Sequence, residues 1–416
     1  MILPPRRPWL ECARSALCFT RHTCLTACSL SCCRRGGKPF PSRRPAREKI
    51  LRYSSEQRSA AMKAAALLLL CFILSFHAAE AQQVAQFIFG DSLVDSGNND
   101  YILSIARANF FPNGIDTQNR VATGRFCNGL LISDFVSQFL GAQPVLPFLD
   151  PSARGRDLLR GSNFASAGAG IVADTGSIFL RRITMPEQIG LFQRYQSQVS
   201  SLIGPQATGR LIANSLVSVT VGGNDYINNY LLPGSARRAQ LSPFQFNSLL
   251  VSTLRDQLQQ ISNLGARKIV VSNMGPIGCI PSQKSMRPPS GLCLPDLQQY
   301  AQHFNSLLRP MLSQLTQQNP GSVFLYSNGY DMLMDIMANG GSYGLSNVRD
   351  ACCGQGAFNG NAICTGASTL CADRSSFLWW DPYHPTEAVN KIITDRLLDG
   401  PPSDISPMNL RQVLRL

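Results

Sequence analysis

Four short apolar runs bounded by Gly or Asn punctuate the chain: Gln86 to Phe89, Leu216 to Val221, Lys268 to Val271 and Val323 to Tyr326. Their length and their β-branched or aromatic content predict strands. Between them, apolar residues recur at helical spacing. Ser242-Pro243 supplies a cap and a first-turn proline for one helix, and Gly265 supplies its stop. A second helix begins near Pro295 and carries Leu297, Tyr300, Ala301, Phe304, Leu307, Leu308, Met311 and Leu315 on one face. A third follows Pro385 through "TEAVNKIITDRLL". Strands alternating with helices predict an α/β domain whose mostly parallel sheet is covered on both sides. In such a sheet the ligand site lies off the carboxyl ends of the strands.

The pattern differs ahead of residue 82. From Met62 the chain reads "MKAAALLLLCFILSFHAAEAQQ", with one Lys, an apolar core from Ala64 to Phe76 and the small-x-small triplet Ala79-Glu80-Ala81. That core is shorter than the roughly 20 residues of a bilayer span, so a cleaved secretory signal over residues 62–81 is expected rather than an uncleaved anchor. Residues 1–61 are Arg-rich and acid-poor without periodicity, which fits either an organellar transit sequence or translated upstream sequence. Met62 is the expected effective start, and 82–416, with no internal repeat or low-complexity linker, reads as one domain.

Charge follows the same boundary. Of the 38 Lys and Arg, 13 precede Met62 against 3 of the 25 Asp and Glu, so most of the net +13 lies in that segment. The near-balanced remainder gives no basis for nucleic-acid binding, which needs a clustered basic surface. Seven of the 14 cysteines follow residue 82: Cys127, Cys279, Cys293, Cys352, Cys353, Cys364 and Cys371. Six of these crowd into the last third, which predicts disulfides that staple loops, and the odd total leaves one thiol unpaired. No CxxC pair occurs and only His303 and His384 follow residue 82, so a zinc site is not expected.

The first strand ends in "FIFGDSLVDSGNND", Phe87 to Asp100, which puts Ser92 at a strand's carboxyl end among small polar residues. A serine nucleophile needs a histidine base and usually a carboxylate to orient it. His303 lies at the edge of an apolar helical stripe and reads as a packing residue. In "WWDPYHPTEA", His384 follows Asp381 by three residues, within reach of its carboxylate in a loop, and Pro385 is positioned to open the next helix. Donors for a developing oxyanion are offered by "GSNFASAGAG" (Gly161 to Gly170) and by "VGGND" (Val221 to Asp225), where Asn224 adds a side-chain amide. Two further motifs fail their structural tests. Ser342 in "GGSYG" follows a helical stretch instead of a strand, and "GAGIVA" at 168–173 leads into "DTGSIFL" where a dinucleotide site needs a helix.

Taken together, "FGDSLVDSGNN", "NFASAGAGI", "VTVGGNDY" and "DPYHPTEA" resemble the ordered blocks of the GDSL esterase/lipase family of SGNH hydrolases, in its plant secreted branch. The likeness extends through "TGRFCNGLLISDF", "NMGPIGCIP", "ACCGQG" and "SDISPMNL", and so covers residues 82–416 but not 1–61. The resemblance implies a three-layer α/β/α sandwich, flavodoxin-like, with a five-stranded parallel sheet. It implies Ser92 as nucleophile, His384 as base and Asp381 as its orienter, with an oxyanion hole made of the Ser92 N–H, the Gly168 N–H and the Asn224 amide. Gly168 is preferred over Gly170 because it holds the inner position of its block. No cofactor and no metal are implied. The partner is a small-molecule or lipid ester, and the location is extracellular. The leading expectation is a secreted serine esterase or lipase. An acyltransferase using the same triad on lipid or polyester alcohols is the alternative, and a matrix-binding protein without chemistry ranks third.

Overall fold

The computed structural model describes residues 62–63, 84–286 and 290–415. The extension 1–61 and all but two residues of the expected signal segment 62–81 therefore lie outside the described residues.

All four apolar runs form strands. Gln86–Gly90 (β1), Gly161–Asn163 (β2), Leu216–Thr220 (β3), Lys268–Ser272 (β4) and Val323–Ser327 (β5) pair in parallel in the order β2-β1-β3-β4-β5. A sixth, two-residue strand, Ile405–Ser406, adds antiparallel to β5 and extends the expected five-stranded parallel sheet at one edge. The order reverses direction between β1 and β3. Their carboxyl ends therefore flank the crevice that such a topology leaves open to a ligand.

Seven helices of eight residues or more are described: Ile132–Phe139 (α1), Met185–Ile203 (α2), Pro205–Asn214 (α3), Pro243–Asn263 (α4), Pro295–Gln318 (α5), Gly329–Ala338 (α6) and Glu387–Asp399 (α7). Ser242 caps α4 as its sequence predicts, accepting the Gln245 N–H through its hydroxyl while the Gln245 side chain accepts the Ser242 N–H. Phe87, Phe89, Val217, Val219, Ile269, Val271 and Phe324 face α2 to α5 in the larger core. Leu216, Val270 and Leu325 face the opposite way, into a second core with Val136 of α1, Met332 and Ile336 of α6 and Val389 and Ile393 of α7. The result is three layers, as the sequence leads one to expect.

Two features escape the apolar pattern. β2 has the sequence Gly-Ser-Asn and is buried at all three positions. It exists because Gly161, at φ +103°, lets the chain approach β1 so closely that a Cβ would stand 1.9 Å from the Gln86 carbonyl oxygen. The second feature is the face turned to α1 and α7. A parallel sheet covered on both sides predicts near-continuous apolar strands. Here Gln86, Ser218, Thr220 and Ser272 share the α1/α7 side with Leu216 and Val270, and all of them line one cavity.

Six of the seven expected cysteines pair, as Cys279–Cys293, Cys352–Cys371 and Cys353–Cys364, and Cys127 is left as a buried free thiol. The last two disulfides pack with the buried Trp380. The Cys352 and Cys353 N–H groups donate to the Trp379 and Trp380 carbonyls at 2.9 and 2.7 Å. The stapled loops thus hold the strand Phe377–Trp379, which runs directly into Asp381. Replacing Cys353 and Cys364 together by Ser should lower unfolding free energy by about 3 kcal/mol, the chain-entropy value for a loop of this size. Urea denaturation checks this, and an unchanged midpoint would contradict the stapling role.

Candidate active site

β1 ends where it must turn sharply. Gly90 has φ +143°, and a Cβ there would lie 1.9 Å from the Thr220 carbonyl oxygen of β3, so only glycine lets the two strand ends come this close. Gln188 of α2 completes the turn: its carbonyl oxygen accepts the Gly90 N–H at 2.9 Å, and its amide donates to the Gly90 carbonyl at 2.8 Å. Ser92, two residues on, is partly exposed at the mouth of the crevice.

Ser92 Oγ lies 2.7 Å from His384 Nε2, and His384 Nδ1 lies 2.8 Å from both Asp381 oxygens. An ionised carboxylate can only accept, so Nδ1 carries the proton and Nε2 is left to accept from the serine hydroxyl. Asp381 also accepts the backbone N–H groups of Tyr383 and His384, both at 2.8 Å. A three-residue spacing thus suffices, because one carboxylate folds the loop and orients the ring. The helix after this loop begins at Glu387 with Thr386 as its cap, two residues later than a start at Pro385. The difference has a cause: Pro385 bridges to Trp379, and Thr386 donates from its N–H to Leu378 and from its hydroxyl to Phe377. His384 is therefore held by the strand rather than by the helix. The Phe126 ring covers it at 5.1 Å between centroids.

Asn224 follows β3. Its amide nitrogen donates to the Ala169 carbonyl at 2.9 Å and its oxygen accepts from the Asn228 amide at 2.6 Å, which fixes the side chain and leaves one N–H to donate elsewhere. Gly168, at φ +84°, has no room for a side chain, since a Cβ would meet the Phe179 ring at 2.4 Å. Among the described residues neither the Ser92 nor the Gly168 N–H is hydrogen-bonded to the protein. Gly168 lines the cavity with Ser92, Asn224, Asp381 and His384, whereas Gly170 does not. The cavity measures about 510 Å³.

The polar run after Ser92 turns out to be structural. Asp95 accepts N–H groups from Gly97, Asn98 and Ala167; Asn98 donates to the Asn163 and Ala165 carbonyls; Asn99 donates to the Ala167 carbonyl. These bonds tie the segment after β1 to the segment after β2 and so set Gly168 beside Ser92. On the other side Asp225 accepts the Ile171 and Val172 N–H groups and the Thr175 hydroxyl. Sequence reasoning missed these carboxylates and asparagines; the density of side chains able to bond nearby backbone was their signal. Burial pushes Asp91 up to about 7 and Asp95 and Asp225 up to about 6.

The remaining sequence candidates fall elsewhere. His303 packs on Phe244 and is within 3.1 Å of the Asn247 amide, as a packing histidine would be. Ser342 sits in a short 3-10 turn after α6, and after Gly168 to Ala173 only the 3-10 turn Ser177–Phe179 precedes α2, so no α-helix opens where a dinucleotide site needs one. Among the described residues no three His, Cys, Asp or Glu side chains are grouped to hold a metal ion, and no helix is long and apolar enough to cross a membrane.

The profile of the GDSL-like lipase/acylhydrolase family matches residues 87–397. The chain belongs to this family. It is 44% identical over 333 residues to GDSL esterase/lipase At4g28780 of Arabidopsis thaliana, covering 80% of this chain and 91% of that protein. It is also 42% identical over 351 residues to GDSL esterase/lipase LTL1 of Arabidopsis thaliana, covering 84% and 96%. The matched region of this GDSL-family chain contains Ser92, Asn224, Asp381 and His384.

The buried acids make stability depend on pH in a stated direction. An acid raised on folding holds its proton more tightly in the folded chain, so its contribution is present in full below about pH 4 and is lost as pH rises through its folded value. Glu187, held down to about 2 in company with Arg181, titrates below that window. The thermal midpoint should therefore carry a falling component between about pH 4 and 7, and Asp91→Asn should flatten it. Calorimetry across that range checks the sign; a midpoint that rises equally in both proteins would contradict it.

Proposed function

We propose that this member of the GDSL-like lipase/acylhydrolase family is an exported carboxylic-ester hydrolase that works through an acyl-enzyme on Ser92. Ser92 Oγ attacks the ester carbonyl while His384 Nε2 takes its proton, and Asp381 stabilises the imidazolium that forms. The oxyanion is received by the Ser92 and Gly168 N–H groups and by the Asn224 amide. His384 returns the proton to the leaving alcohol. Water then adds to the acyl carbonyl with His384 again as base, which frees the acid and restores Ser92.

The observation that carries this reading is the unbroken contact from Ser92 Oγ through His384 to Asp381, at 2.7 and 2.8 Å, inside a cavity of a family member. Leu93, Ile105, Phe110, Ile178, Phe179 and Ile277 line the cavity and favour an apolar acyl group. Pairing of six cysteines supports export, since disulfides persist in oxidising compartments. A signal peptide over 62–81, an extension 1–61 absent from the mature protein and a hydrolase domain over 82–416 complete the proposal.

Ser92→Ala should abolish turnover of a chromogenic short-chain ester with an unchanged thermal midpoint, and only the unaltered protein should take a fluorophosphonate label. Full activity in this variant would end the proposal. Asn224→Ala should lower kcat by about 10²- to 10³-fold with a smaller effect on KM, as loss of an oxyanion donor does. Predominantly free acid in the presence of a competing alcohol would mark hydrolysis, and predominantly new ester would mark acyl transfer.

A further inference from the structure

The rim of the cavity, outside the catalytic contacts, is apolar and open to solvent. Of the 15 large apolar side chains exposed among the described residues, eight lie in three short stretches, 101–111, 176–182 and 363–366. Single exposed apolar side chains are ordinary, whereas a cluster of them marks a surface that meets a partner. The stretches also meet one another. Ser104 bridges to Leu180, the Ile105 N–H donates to the Phe179 carbonyl at 3.3 Å, and the Phe179 ring lies against Gly168. A Cβ at Gly366 would stand 3.8 Å from the Phe111 ring. Ile105, Phe110, Ile178 and Ile363, drawn from all three stretches, line the one cavity that holds Ser92.

Two leucines of this rim stand outside the cavity lining. Leu103 is 77% and Leu180 63% exposed. Leu180 also has φ +66° and ψ −72°, a backbone conformation that leucine adopts only at a cost. An exposed apolar side chain held under strain contributes nothing to the fold, so its use lies outside the molecule.

Charge narrows the choice of partner. The three stretches contain Arg107, Arg181 and Arg182 and no Asp or Glu. Glu187 matches Arg181, whereas Arg107 and Arg182 donate to backbone carbonyls and form no ion pair among the described residues. A second copy of the chain meeting this rim face to face would set like charge against like. A neutral apolar surface would cover the leucines and leave the guanidinium charges without partners. Assembled lipid with anionic headgroups satisfies both.

Resting on the esterase reading above for what enters the cavity, we propose that the rim docks the protein on an anionic lipid surface. Leu103 and Leu180 enter the headgroup layer, and the arginines face the headgroup anions. An ester then passes from the surface into the cavity without crossing water.

The test is co-sedimentation of the full chain with vesicles of phosphatidylcholine alone and of phosphatidylcholine and phosphatidylglycerol in equal parts. The anionic vesicles should bind at least about tenfold more tightly, since one arginine near such a surface is worth about fivefold, and added salt should shrink the difference. Leu103→Ser combined with Leu180→Gly should weaken that binding by about tenfold or more. Turnover of a soluble short-chain ester should be unchanged in this variant, and its thermal midpoint should not fall, because glycine accepts the backbone angles of position 180. No binding to either vesicle, equal binding to both, or full binding by the double variant would overturn the proposal. So would a dimer in solution that the same substitutions dissociate, which would make the rim a self-contact. Vesicle binding needs no turnover, so the two readings fail separately: a protein that binds vesicles without cleaving any ester defeats the esterase reading alone, and one that cleaves esters and ignores vesicles defeats the docking alone.

Discussion

One hydrogen bond, from Ser92 Oγ to His384 Nε2, joins residues 292 positions apart in the chain, and the architecture can be understood as the means of making it. Ser92 hangs from the carboxyl end of a central strand, and His384 hangs from a loop near the end of the domain. Neither element can approach the other by local structure. The sheet order brings the end of β1 to the crevice where the strand order reverses. The strand Phe377–Trp379, clamped by two disulfide-closed loops, brings the histidine to the same crevice. Each side of the contact is thus fixed to a rigid support before the two side chains meet, which is what a proton transfer over hydrogen-bond distance requires.

Rigidity on the serine side is built from polar groups rather than from packing. The segments after β1 and β2 are largely irregular, and such segments carry backbone donors that need partners. Asp95 and Asp225 accept them, in positions where burial opposes their charge, while Asn98 and Asn99 donate to the neighbouring carbonyls. Asp95 and Asp225 settle the conflict by accepting three N–H or O–H bonds each, and both still titrate well above an ordinary aspartate. The arrangement gives up stability near neutral pH in return for holding the Gly168 segment against the serine turn. An apolar core could not do this, because it offers no acceptors to backbone N–H groups.

What could be read from the chain beforehand divides along the same line. The four long strands and the three longest-range helical patterns follow from periodicity, and the observed ends differ from the expected ones by a residue or two. Ser92, His384 and Asp381 were legible because few residues could do their work: two histidines follow residue 82, and only one has a carboxylate at loop distance. β2 was not legible, since three residues with no apolar side chain leave no period to detect, and its place is set by a close backbone approach at Gly161. The start of α7 was read two residues early because proline at a first turn is a local preference, which the tertiary bridge from Pro385 to Trp379 overrides. The polar run Asp95 to Asp100 offers no period to read, and its side chains staple a neighbouring segment that no local rule could name.

The polar face of the sheet is the remaining departure from pattern, and it bears on how the fold makes room for a cavity. A parallel sheet under helices is most stable when both faces are apolar and filled. On the α2 to α5 side this protein follows the rule, with Phe87 of β1 packed at 4.9 Å between ring centroids against both Phe192 and Tyr195 of α2. On the α1 and α7 side it does not, for Ser218, Thr220 and Ser272 stand beside a cavity where larger apolar residues would fill the space. The two faces therefore divide the work. One supplies the packing energy that keeps the sheet rigid, and the other leaves out side-chain volume and so leaves a cavity beside the strands. The cost of the unfilled face falls on the folded protein alone, since volume left out of one face forfeits the packing contacts that would fill it.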